Sequence, residues 1–91
     1  MNKSDLIDLI AAETQLSKKD AASALNAAFS GIINATAKGE TVSLFGFGTF
    51  MLRERKARTG RNPQTGQTIQ IAAANFPSFK PSLFFKREVN D

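Results

Sequence analysis

The stretch RERKARTGRNPQTGQTIQI, Arg53 to Ile71, limits what this chain can fold into more than any other segment. From Arg53 to Arg61 it carries five basic residues against Glu54, a local charge of +4. The whole chain is also +4, so everything outside those nine residues sums to zero. Burying these cations without partners would cost several kcal/mol for each charge, and few carboxylates lie nearby in sequence to pair them. Length points the same way. At roughly 3.3 Å per residue an extended run of this kind covers about 30 Å, whereas a compact chain of 91 residues has a radius of gyration near 12 Å. The segment must leave the body as a two-stranded arm.

The arm turns at Asn62-Pro63-Gln64-Thr65-Gly66, with Asn opening the turn, Pro presetting φ and Gly closing it. The second strand of the sheet is expected to run into the arm without a breaker, losing its apolar face after Leu52, and residues 67 to 76 are expected to return as one strand carrying Ile69 and Ile71. Before the arm, TVSLFGFGTFML reads as two short strands joined by a tight turn at the glycines. Earlier still, Leu6, Ile7, Ile10 and Ala11 space a first helix over 3 to 14. Ser17 and Asp20 open a second, whose stripe runs through Ala21, Leu25, Ala28, Phe29, Ile32, Ile33 and Thr36 until Gly39 stops it. After Pro81, Ser82 caps a short last helix.

These elements predict an α+β fold in one domain: helical hairpin 1–39, antiparallel sheet 40–81 with its arm at 53–75, and C-terminal helix 82–91. A chain this short buries little by itself, so help from a partner chain is expected. There is no cysteine and no histidine, the eight carboxylates are scattered, and neither a metal site nor an acid/base pair is indicated. No cofactor or enzymatic activity is expected. The opening MNKSDLIDLI interrupts its apolar residues with Asp5 and Asp8, and the expectation is a soluble, unprocessed chain in a reducing compartment.

An exposed, self-repelling hairpin calls for a polyanion. A basic ribbon fits a groove of DNA better than a lipid surface, which would select Trp, Phe or Leu on the opposite face; no membrane partner is expected. Pro63 shapes the turn and, at the tip of a basic arm, is also the kind of rigid apolar ring that wedges between base steps; both roles can hold at once. Aromatic residues interleaved with the basic ones would suggest RNA stacking, and the arm is expected to have none.

Together Gly46-Phe47-Gly48-Thr49-Phe50, Arg55, the run Arg58 to Gly66, Ala72-Ala73-Ala74-Asn75 and Phe79-Lys80-Pro81 resemble the HU and integration host factor family of bacterial DNA-bending proteins, over essentially the whole chain. The resemblance implies an intertwined dimer in which two arms reach around bent double-stranded DNA along its minor groove. Arg53, Arg55, Lys56, Arg58, Arg61, Asn62 and Gln64 would contact DNA from the arm, Pro63 would wedge at its tip, and Lys3, Lys80 and Lys86, with Arg87 as a further candidate, would hold the flanks. Leu25, Phe29, Ile32, Leu44, Phe47, Phe50 and Phe79 would pack the dimer core. The implied protein is a histone-like, weakly sequence-specific homodimer of the bacterial nucleoid, in the cytoplasm, preferring bent, nicked or flexible duplex. Two other readings stay open: an integration-host-factor-like subunit that favours particular sites with a different partner chain, and a scaffold for RNA or another polyanion. Gln67, Gln70 and Leu83 depart from the family by replacing common basic residues, which thins the phosphate footprint. Of Phe84 and Phe85, one is expected to pack on the base and the other to make a specialised contact.

Overall fold

A computed structural model describes residues 1–90; Asp91, placed in the last helix by the sequence reading, lies outside the described residues. The chain falls into two compact units, one ending at Asn34 and one beginning at Ala35.

In the first unit, α1 (Lys3–Thr14) begins with a reciprocal capping box. Asn2 Oδ1 accepts from the Asp5 amide at 2.9 Å, and Asp5 Oδ2 accepts from the Asn2 amide at 3.1 Å. Two donors that have no partner inside the helix are thereby satisfied. Asp8 pairs with Lys18 at 3.4 Å, tying α1 to the start of α2 (Lys18–Ala37). At that start the Ser17 hydroxyl accepts from the Asp20 amide. Gly39, with φ +86°, ends α2 as a left-handed C-terminal cap, where a side chain would be strained.

The second unit holds β1 (Val42–Leu44), β2 (Gly48–Arg55), β3 (Arg58–Arg61), β4 (Thr68–Ile71), β5 (Ala74–Pro81) and α3 (Leu83–Asn90). β1, β2 and β5 form one antiparallel sheet in that order, and β3 and β4 form a separate two-stranded ribbon. The continuous strands expected from sequence are interrupted on both sides, at Lys56-Ala57 and at Ala72-Ala73. Register is nonetheless the same before and after the break: Arg55 faces Ala74, and Arg58 faces Ile71. Two residues drop out of each strand together, so pairing resumes beyond the interruption with the same partners opposite one another.

Because directly paired residues of an antiparallel ladder share a face, the register sorts the main sheet into two surfaces. Val42, Leu44, Phe50, Leu52, Pro77 and Phe79 lie on one. On this side the rings of Phe47, Phe50, Phe79 and Phe85 cluster, with Phe50 and Phe79 centroids 4.7 Å apart and Phe47 and Phe85 5.6 Å apart. Phe85 is brought in by the start of α3, where Ser82 accepts from its amide and donates its own to the Phe47 carbonyl. Phe85 is thus the packed member of the 84–85 pair and Phe84 the exposed one.

Gly48 makes room for this cluster. A Cβ there would stand 2.5 Å from Phe79 Cε1 and Cζ, and 2.7 Å from the Lys80 carbonyl oxygen. A ring can swing aside, but the carbonyl belongs to a paired strand and cannot, so Gly48→Ala is expected to cost about 1–3 kcal/mol. A shift of the denaturation midpoint with unchanged m-value measures it; an unshifted midpoint would show that the Lys80 carbonyl does not close on this glycine.

Little is buried in the single chain. Ala21 is the buried hydrophobic residue among those described, and no large side chain is fully enclosed. Leu25, Ile32 and Phe50 are half-buried, while Phe29, Leu44, Phe47 and Phe79 keep 37 to 46% of their surface. The residues expected to pack a dimer core are therefore uncovered on one side.

Candidate nucleic-acid interface

The second surface of the main sheet carries Ser43, Thr49, Met51, Arg53, Arg55, Ala74, Phe76, Ser78 and Lys80. Alternation places Glu54, paired with Asn75, on the opposite side from Arg53 and Arg55, so the one arm carboxylate does not neutralise them. Among the described residues the salt bridge within 4.0 Å is Lys18–Asp8, in the other unit. The cations of this face are held by neutral groups instead. Arg53 donates through Nε to Ser78 Oγ at 3.2 Å, a same-face diagonal neighbour. Arg55 donates through Nη2 to the Ala72 carbonyl at 3.1 Å, occupying an acceptor that the strand break leaves without a ladder partner. Each guanidinium keeps further donors for a ligand.

Beyond the break, Arg58 shares a face with Gly60, Ile69 and Ile71, and Arg61 shares the other with Thr59, Thr68 and Gln70. The two isoleucines lie over Gly60, which is why this glycine is half-covered although its ribbon has no third strand. Arg58, Arg61 and Lys56 are exposed, the last at the interruption itself.

The tip is built by Asn62. Its amide donates to the Gln67 carbonyl, its carbonyl accepts from the Gly66 amide, each at 2.8 Å, and its Oδ1 accepts from the Gln64 amide at 2.9 Å. Gly66, with φ +71°, takes the left-handed position that closes the loop. Pro63 and Gln64 stand exposed in between. The side-chain oxygen of Asn62 is engaged in shaping the turn, the opening role sequence reading gave this residue beside its assignment to DNA.

The body residues divide. Lys80 lies across from Thr49 on the arginine-bearing face, and Lys86 borders a groove next to it, shared with Ser82, Leu83 and Phe84. Lys3 is exposed in the first turn of α1, in the other unit, as Arg87 is in α3. Sequence reading missed Met51, Phe76 and Ser78 as members of the cationic surface. Counting pairs outward from the Asn62 turn is the signal that finds them, because the pairs on both sides of the interruption share one register. It also sets Phe76, the residue just after the arm's 53–75 span, directly opposite Arg53.

The second surface and the ribbon can accept an extended polyanion: cations on one side of a sheet, continued along a narrow exposed hairpin with a rigid ring at its tip. Among the described residues no group of acidic side chains could hold a metal ion, and no helix is long and apolar enough to cross a membrane. Known proteins share this architecture. A family described as "Bacterial DNA-binding protein" matches residues 1–90. DNA-binding protein HU-1 of Halalkalibacterium halodurans is 52% identical over 90 residues, covering 99% of this chain and 100% of that one. DNA-binding protein HU of Staphylococcus aureus is 53% identical over 89 residues, covering 98% and 99%. Among solved structures, the HU–DNA cocrystal structure from Anabaena superposes with a TM-score of 0.89 at 43% identity, covering 99% of this chain and 98% of that one.

Proposed function

The chain belongs to the bacterial DNA-binding protein family, a family of structural DNA-binding proteins and not of enzymes, and from that premise we propose that it is an HU-type, histone-like homodimer that bends double-stranded DNA with its arms in the minor groove. The observation that carries this reading is the sorting of charge by register: Arg53, Arg55 and Lys80 on one face, Glu54 on the other, and Arg58 and Arg61 continuing along an exposed ribbon. Phosphates along a duplex would displace water and counterions from these side chains, while base edges would contact few of them. Selectivity then comes from how easily the duplex deforms, which favours bent, nicked or flexible DNA. Its place is the nucleoid, in the cytoplasm.

The other surface supports dimerisation. Phe47, Phe50, Phe79 and Leu44, and the helical stripe of Leu25, Phe29 and Ile32, are left half-covered in one chain, and a second copy would bury them. Two arms would then act on one duplex. Lys3, Lys86 and Arg87 supply further contacts to the flanks.

Pro63 is the wedge of this proposal. Its ring is exposed, and the three Asn62 hydrogen bonds hold the loop around it without any help from the ring. Pro63→Ala is accordingly expected to keep the turn, reduce the bend of a bound duplex, and weaken affinity by less than about tenfold, which is 1.4 kcal/mol. Energy transfer between dyes at the two ends of a bound duplex reads the angle. An unchanged transfer efficiency would remove the wedge from the mechanism.

A further inference from the structure

We propose that Phe76, supported by Met51, is a DNA contact in its own right: an apolar platform in the middle of the cationic face that packs against the deoxyribose walls of the duplex. This rests on the proposal that DNA lies across that face.

Position and surroundings both point to it. Phe76 is paired directly with Arg53, and Met51 with Ser78, so the ring and the thioether are diagonal neighbours on the surface that also holds Arg55 and Lys80. The ring keeps 45% of its surface exposed. All ring–ring contacts among the described residues belong to Phe47, Phe50, Phe79 and Phe85, with Phe50 and Phe79 on the opposite side of the sheet, and Phe76 has none of them. Arg53, its direct cross-strand partner, donates through Nε to Ser78. A large ring outside the aromatic cluster, with Arg53 and Arg55 beside it to attract phosphates, would meet the sugars between those phosphates. Sugars present C–H surface to the minor groove. A flat apolar side chain desolvates against that surface, and it touches more of it when the groove is opened by bending. Phe76 thus adds shape preference where the arginines add charge attraction.

Two variants test this. The chain has no tryptophan and no tyrosine, so Phe76→Trp installs a single emitter at the platform. Its accessibility to acrylamide is expected to fall several-fold when a nicked or bent duplex is added to saturation, with binding followed separately by the anisotropy of labelled DNA. Phe76→Ser is expected to weaken binding of the same duplex about five- to twentyfold, the range of one aromatic contact. The slope of log affinity against log salt should stay at the wild-type value, since every cation that meets a phosphate is still in place. A tryptophan that stays as accessible in the saturated complex as in free protein overturns the platform while leaving DNA binding intact. A Phe76→Ser variant that binds like wild type, or whose salt slope becomes shallower, does the same. Failure of the wild-type chain to bind duplex would instead remove the underlying functional reading, and the two failures are told apart by the wild-type titration alone.

Discussion

Replacing Arg55, Arg58 and Arg61 together by Gln is expected to weaken duplex binding on the order of a hundredfold for each arm at moderate salt, taking roughly 1 kcal/mol for each exposed guanidinium that no longer meets a phosphate. The change in salt dependence is the sharper signature. Each phosphate neutralised contributes about −0.9 to the slope of log affinity against log salt, so leaving three phosphates without their cation makes it shallower by about 2.7 for each arm. Folding should barely notice. Arg58 and Arg61 make no side-chain hydrogen bond among the described residues, Arg55 makes one to Ala72, and substitutions at such exposed sites stay within about 0.5 kcal/mol. A fluorescence titration at several salt concentrations, beside a thermal melt, separates the two effects. If the variant keeps the wild-type slope, these side chains do not meet phosphates, and the arm's charge has another purpose.

Phe79→Ala carries the largest expected loss of stability. Its ring is 4.7 Å from that of Phe50, 5.4 Å from Phe47 and 6.3 Å from Phe85, and it roofs Gly48. Removing it takes away the centre of the cluster and leaves a gap bounded by Phe50 of β2, Phe47 of the turn before it and Phe85 of α3. Phenylalanine truncations of this kind cost about 3–5 kcal/mol, a large share of the roughly 5–15 kcal/mol that holds a typical domain together. The residue also stands on the half-covered face proposed to meet a second copy, so the variant's unfolding should depend more steeply on protein concentration than that of wild type. Denaturant unfolding at two protein concentrations reads both. A midpoint that neither falls nor varies with concentration would mean the aromatic face is a solvent-facing patch and the protein is stable as a single chain.

Much of this was legible in the chain because it rests on local chemistry. Ser17, Gly39, the Asn62–Gly66 turn and Ser82 each mark a boundary by satisfying, or failing to continue, backbone hydrogen bonds, and the structure places boundaries at all of them. What stayed hidden depends on pairing across the sheet. The interruption at Lys56-Ala57 has no glycine or proline to announce it. It occurs where Ala72 and Ala73 stand opposite and offer almost no side chain for cross-strand packing, so the ladder there gains little from closing. The capping role of Asn2 was equally invisible to a reading that took Asp5 only as a break in the opening apolar run, although the spacing from Asn2 to Asp5 carries the signal. Phe76 was missed for a third reason. In sequence it belongs with the apolar strand, and only the register reveals that its neighbours are Arg53, Ser78 and Met51.

The proposal that these faces and ribbons hold DNA by neutralising phosphates is tested most directly by the wild-type protein itself, titrated with a nicked duplex over a series of salt concentrations. The expected plot of log affinity against log salt is a straight, steep decline whose slope corresponds to several phosphates. A flat line would contradict the account, because affinity that ignores salt cannot come from Arg53, Arg55, Arg58, Arg61 and Lys80 meeting a phosphate backbone.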